Sequence, residues 1–166
     1  AEAFIKGYTP DTVLFDVPTQ FSTSCAPEDT TNSKAPCYAP VNYDNKFLGP
    51  MTLRDAIAQS RNIPSVKVLY LAGITDTLRL AKAMGVSTLG DPNQYGLTLV
   101  LGGGEVTLLD MSSAYGVFAQ NGMRYQPISV LKIIDSTGNT IEDNTQPVGS
   151  QVIQADAAQK INDILS

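Results

Sequence analysis

The sequence predicts an α+β fold, mostly helical, with a helical lobe and a few strands. Three observations predict it. Apolar residues recur at three- and four-residue spacing through the middle of the chain, behind threonines suited to cap helices. The spacing drops to two around residues 128–134, the period of a strand. The 166 residues, 43% apolar and 16% charged, have the composition of an ordinary globular chain with room for one core.

Residues 1–6 read as the last turns of a helix, stopped by Gly7. No capping residue precedes them, so this start is expected to continue a longer chain. Residues 8–50 are punctuated by Pro10, Pro18, Pro27, Pro36, Pro40 and Pro50. They predict a loop-rich region with one short strand over 12–15. Residues 52–122 predict the helical lobe. Thr52, with Asp55 three positions on, caps a first helix whose face carries Leu53, Ala56, Ile57 and Ser60. Pro64 ends that helix and opens a second, which runs to Gly73 and carries Val66, Val68, Leu69 and Leu71.

A third helix is predicted over 75–84 and ends at Gly85. A fourth starts at Thr107, with Asp110 three positions on, and ends at Asn121 and Gly122. Residues 127–166 predict a hairpin and a helix. The strand over 128–134 is apolar on both faces, residues 135–139 carry turn chemistry, and residues 140–142 pair back. A last helix is predicted over 155–165. It has no capping glycine behind it, so the sequence is expected to be truncated at both ends.

Composition removes several kinds of chemistry. The net charge is −5, and the eleven basic residues are scattered, which argues against nucleic acid. Histidine is absent. That excludes Ser-His-Asp and Cys-His catalysis and the usual zinc sites; no metal and no cofactor are predicted. No apolar run approaches the roughly 20 residues that span a bilayer, so any membrane anchor is expected outside this sequence. Cys25 and Cys37 flank a polar stretch. They either close a loop, contributing about 3 kcal/mol in the chain-entropy account, or stand as two free thiols.

Ser60-Arg61-Asn62 is the motif with most to offer. Ser-x-Asn is weak alone, because twelve serines and nine asparagines give about 0.65 chance occurrences. Its context is more informative. Pro64 disfavours helical geometry at Ile63, so Ser60 and Asn62 are expected on a bend between two packed helices, facing one groove. A hydroxyl and a carboxamide there offer a proton relay and a hydrogen-bonding clamp. The competing reading is a plain helix end, with Asn62 capping the next helix.

The wording around this motif carries a resemblance. From Tyr38 to Pro64 the chain reads Tyr-Ala-Pro-Val-Asn-Tyr-Asp-Asn-Lys-Phe-Leu-Gly-Pro-Met-Thr-Leu-Arg-Asp-Ala-Ile-Ala-Gln-Ser-Arg-Asn-Ile-Pro. Farther on it reads Leu-Val-Leu-Gly-Gly-Gly-Glu-Val-Thr-Leu-Leu-Asp over 99–110 and Ala-Tyr-Gly-Val-Phe-Ala-Gln-Asn-Gly over 114–122. These runs resemble the transpeptidase domain of class A, bifunctional penicillin-binding proteins, over nearly the whole chain. The resemblance implies part of a serine β-lactamase-like fold, a sheet between helices with an all-helical lobe. It also implies serine acyl transfer between peptidoglycan stem peptides at the extracytoplasmic face of the bacterial membrane, with β-lactams as suicide substrates.

In that family a serine and lysine form Ser-x-x-Lys at a helix start, Ser-x-Asn lies between helices, and Lys-Thr-Gly lies on the sheet edge. Ser60 and Asn62 match the second motif. Ser60 is thereby implied as the proton relay and Asn62 as the clamp on the donor peptide's amide. Arg61 fills the variable place and receives no role.

The other two motifs are expected outside the chain, with the nucleophile upstream of Ala1 and the lysine motif beyond Ser166. The one Ser-x-x-Lys present, Ser129 to Lys132, falls in a predicted strand, where residues three apart face opposite ways. Ser136-Thr137-Gly138 lacks the lysine. Gly102-Gly103-Gly104 has no following lysine, so it reads as a structural turn and not a phosphate loop. Glu105 and Asp110 read as helix-start charges.

The chain is therefore expected to be catalytically silent alone, and to expose apolar surface or rely on the remainder of the transpeptidase domain. Two alternatives stand beside this one. The first is a D,D-carboxypeptidase or β-lactamase-like hydrolase of the same superfamily. The second is a non-catalytic sensor or scaffold.

Overall fold

The computed structural model describes residues 1–166. In chain order the elements are α1 (Glu2–Ile5), β1 (Val13–Asp16), β2 (Gly49–Thr52), α2 (Leu53–Ala58), α3 (Asn62–Ala72), α4 (Ile74–Met84), α5 (Leu108–Ala119), β3 (Met123–Arg124), β4 (Lys132–Ile134), β5 (Thr140–Asp143), β6 (Ser150–Gln151) and α6 (Ala155–Leu165). Two short 3₁₀ turns, Pro92–Gln94 and Leu97–Leu101, lie between α4 and α5. The strands make three antiparallel pairs, β1 with β2, β3 with β6 and β4 with β5. The α+β, mostly helical expectation is met. No helix is long and apolar enough to cross a membrane.

The helix starts follow from their caps. The Thr52 hydroxyl accepts from the Asp55 amide at 3.1 Å and donates to the Asp55 carboxylate at 2.6 Å. Thr107 likewise accepts from the Asp110 amide at 3.1 Å, so both satisfy an orphan N–H of a first turn. One core unites the chain. Phe4 of α1, Leu53 of α2, Val117 of α5, Ile153, and Ala158 and Ile161 of α6 are buried together. Helix α6 thus seals the lobe from the far end of the sequence. Gly122, between α5 and β3, has φ +89, and a Cβ there would collide with the Ile153 carbonyl. Only glycine fits a backbone that close.

Three expectations need correction. The prolines of residues 8–50 predict loop up to Pro50, yet Gly49–Thr52 forms β2. In a two-stranded ribbon Pro50 faces Phe15 and owes no N–H to a further strand. The strand predicted over 128–134 forms only over Lys132–Ile134, because the ladder closes where the Asn144 amide donates to the Leu131 carbonyl at 2.7 Å. Its residues are exposed on both faces. Finally, Ile63 is helical and fully buried, despite preceding Pro64. Pro64 is the third residue of α3, within the first turn, where its missing N–H is not needed.

The β1–β2 ribbon gathers the two ends of the loop-rich stretch. Its outer part is bound mainly to itself. Cys25 and Cys37 form a disulfide with Cα atoms 5.7 Å apart, which decides between the two cysteine readings. The Gln20 carboxamide donates to the Asp29 carbonyl at 2.6 Å and accepts from the Tyr38 amide at 2.8 Å. The Asn32 carboxamide exchanges both of its hydrogen bonds with the Ala39 backbone, at 2.6 and 3.2 Å.

Candidate functional site

Helix α2 ends in a Schellman turn, and Ser60 occupies its left-handed position. The Arg61 amide donates to the Ala56 carbonyl at 2.9 Å and the Ser60 amide to the Ile57 carbonyl at 3.0 Å, the two bonds that define the motif. Ser60 has φ +51. Four non-glycine residues in the chain have positive φ, and the other three, Asn32, Asn45 and Asn121, are asparagines. Asparagine tolerates this region through local hydrogen bonds, whereas serine carries the Cβ clash without that relief. The bend is made here, at Ser60, and not by Pro64. Ser60 is exposed and Asn62 half-buried.

Between them Arg61 turns inward. Its side chain is 8% exposed and that of Asp16, at the end of β1, is 0% exposed. The Arg61 guanidinium donates to Asp16 from Nε at 3.0 Å, and its Nη2 lies 2.9 Å from the same carboxylate oxygen. Nη1 reaches both oxygens of Asp44 at 3.1 Å, and Nη2 donates to the Lys46 carbonyl. Burial pulls the Arg61 pKa down, but the bonds to Asp44 and Asp16 outweigh it and hold it above the ordinary arginine value. The Asp44 carboxyl is held below the ordinary carboxylate value, first by the Lys46 amide and then, against some desolvation, by Arg61.

Asn42 completes the cluster. It is 1% exposed, and its Nδ2 donates to Asp16 at 2.7 Å and to the Lys46 carbonyl at 2.8 Å. Its Oδ1 accepts from the amides of Asn62 at 2.9 Å and Ile63 at 3.3 Å. Asn42 therefore caps α3 from a distant loop, doing the work of an N-cap that Arg61 does not supply. The Asn62 carboxamide donates to the Val41 carbonyl at 2.8 Å. Every buried polar atom of Asp16 is engaged, the Leu48 amide adding a further bond at 3.1 Å.

The structure brings Ser60 and Asn62 together on one turn, held from below by residues the sequence reading missed. Asn42 and Asp44 stand in the run that carries the family resemblance, which gives neither of them a role at the turn; Asp16 lies outside that run, and Arg61 fills only the variable place. The only available cue was a charged residue at the centre of the motif. The shared groove expected of Ser60 and Asn62 is not found: neither lines the adjoining apolar cavity between α1, α2 and α3, walled by Phe4, Leu53, Ile57, Pro64, Val68 and Leu69, nor the cavities beside α5.

The remaining candidates lie elsewhere. Ser129 precedes β4 outside any helix, and the Lys132 amine lies 3.2 Å from the Asp143 carboxylate. The amine is thus paired away from the serine. Ser136-Thr137-Gly138 forms the hairpin turn, tied by Asp135 to Thr137 and Asn139. Gly102 to Gly104 make a turn after the second 3₁₀ segment, where a Cβ on Gly103 would strike Thr98. Asp110 accepts from the amide and hydroxyl of Ser87, both at 2.7 Å, which ties the start of α5 to the segment after α4.

With this geometry in place, comparison with known proteins is informative. The family described as penicillin binding protein transpeptidase domain matches residues 17–166. The chain belongs to that family. Penicillin-binding protein 1A of Rickettsia bellii is 33% identical over 139 residues, covering 84% of this chain and 16% of the relative. Among solved structures, penicillin-binding protein 1A from Haemophilus influenzae superposes with a TM-score of 0.70 at 30% identity, over 88% of this chain and 20% of that one. The PonA1 protein from Mycobacterium tuberculosis in complex with penicillin V superposes with a TM-score of 0.76 at 18% identity, over 95% and 41%. The chain spans about a sixth of the length of the Rickettsia bellii relative.

Proposed function

We propose that this chain forms part of a serine D,D-transpeptidase that cross-links peptidoglycan stem peptides on the extracytoplasmic face of a bacterial membrane and is acylated by β-lactams. Ser60 relays the proton to the departing amine, and Asn62 clamps an amide of the donor peptide. The nucleophilic serine, its lysine base and the Lys-Thr-Gly motif come from chain beyond these residues. They would supply the attack and the oxyanion stabilisation that acyl transfer requires. These 166 residues alone are catalytically silent.

One observation carries the reading. Ser60 holds an exposed hydroxyl at a backbone position where glycine would be more stable, and strain of this kind gathers at working sites. The disulfide is consistent with an oxidising compartment.

The test is labelling with a fluorescent penicillin. In a longer protein that joins this chain to a serine–lysine motif, Ser60→Ala slows covalent labelling by about 100-fold, the scale of a lost proton-transfer group, and Asn62→Ala by about tenfold, the scale of a lost hydrogen bond to the bound amide. The 166 residues alone remain unlabelled at the same concentration. Labelling of the short chain, mapped to Ser129, would defeat the assignment. So would wild-type labelling by both variants.

A further inference from the structure

We infer that Arg61 is a positioning residue for the Ser60–Asn62 turn, acting with Asp16, Asn42 and Asp44. The inference rests on the proposed roles of Ser60 and Asn62. It goes beyond them by assigning work to the variable middle place of the motif and to two segments distant in the chain.

The geometry makes Arg61 the link between a strained turn and a fixed anchor. Its backbone amide closes the Schellman turn on Ala56. Its carbonyl accepts from the Ser65 hydroxyl at 2.7 Å, in the first turns of α3. Its side chain descends between Ser60 and Asn62 to a carboxylate with no solvent exposure. A turn whose centre is pulled inward displays the residues on either side. The left-handed conformation of Ser60 is disfavoured by itself, so something must over-determine it.

Three holds do so, two of them sharing Asp16. The first is the Arg61 fork onto Asp16, Asp44 and the Lys46 carbonyl. The second is Asn42, which binds Asp16 with one end and the Asn62 and Ile63 amides with the other. The third is Lys67 of α3, whose amine donates to the Phe15 carbonyl beside Asp16 at 2.7 Å. Together they fix the end of β1, the 41–48 segment and the start of α3 as one rigid base. Arginine suits the place because its planar fork serves three acceptors at set angles, which the point charge of lysine does not.

Lysine therefore separates positioning from folding. Arg61→Lys keeps the buried charge and loses the fork. In the longer protein used above it slows acylation by a β-lactam about tenfold, the scale of a small displacement of a catalytic group. Non-covalent affinity for the same β-lactam stays within about twofold, so the loss falls on the chemical step. Added to Ser60→Ala and Asn62→Ala together, Arg61→Lys slows acylation no further, because Arg61 acts through Ser60 and Asn62.

Should Arg61→Lys fail to fold, Asp44→Asn decides. It removes only the 41%-exposed arm of the fork and slows acylation about threefold by the same reasoning. If both variants acylate at the wild-type rate while Ser60→Ala is slow, the positioning role is wrong and the Ser60 assignment stands. If Ser60→Ala and Asn62→Ala acylate normally, the site assignment is wrong, and the role of Arg61 falls with it.

Discussion

Two serine motifs in this chain match the spacing of different parts of one active site, and their surroundings differ in kind. Ser60-Arg61-Asn62 sits on a left-handed turn whose central side chain is buried and paired with Asp16 and Asp44. Ser129 to Lys132 sits at the root of a hairpin whose strands are exposed on both faces. The first has polar groups locked beneath an exposed hydroxyl. The second has an amine paired with Asp143 at the surface. A motif of two residues at fixed spacing is cheap to meet by chance. A buried, fully paired polar cluster under it is not, because each buried polar group must be satisfied or it destabilises the fold.

The largest expected effect tests that contrast directly. Arg61→Ala leaves Asp16 buried without its cation, and should lower the unfolding free energy by about 3–5 kcal/mol, the range for breaking one side of a buried pair. Lys132→Ala removes an ion pair whose partners are each about 40% exposed, and should leave the urea midpoint unchanged. Equal losses for the two would erase the distinction between a built site and a surface pair.

A smaller effect has the opposite sign. Ser60→Gly relieves the positive-φ strain and should stabilise the chain by about 1 kcal/mol, seen as a raised melting temperature. Ser129→Gly, at a position without positive φ, should give no such gain. If Ser60→Gly destabilises, Ser60 is not held against its own preference, and the strain has no functional meaning.

The smallest effect separates the regions by pH. In the hairpin Asp135 is lowered to about 2, first by the Thr137 hydroxyl, and Asp143 to about 2, first by the Thr145 hydroxyl. A carboxyl with a depressed folded pKa contributes stability above its ordinary value, and the contribution is lost as pH falls through the folded one. Between pH 3.8 and about 2, the amides of Thr137 and Thr145 should therefore lose exchange protection before those of α3. Simultaneous loss in both regions would show that hairpin and helical base are one cooperative unit.

Local rules in the sequence sufficed where structure is local. Thr52 with Asp55 and Thr107 with Asp110 marked helix starts that the structure keeps, and α6 spans the predicted residues. They failed where the decisive contact is remote. Asp16 lies 45 positions from Arg61 and 26 from Asn42, so no spacing rule joins them. Gly49 and Pro50 hid β2 because their propensities oppose a strand, and only the pairing with β1 overrides them. Pro64 was credited with a bend that belongs to Ser60, since a serine at positive φ leaves no trace in composition. The family resemblance singled out this turn, and packing explains how the turn is held.

The β1–β2 ribbon has one more consequence. It splits residues 17–48 into a foot and a crown. The foot, around Asn42 to Leu48, is bolted to the Ser60 turn, while the crown is knotted to itself by Cys25–Cys37 and the Gln20 and Asn32 bonds. Changes of length or sequence in the crown are thereby expected to leave the Ser60 turn and its buried base undisturbed.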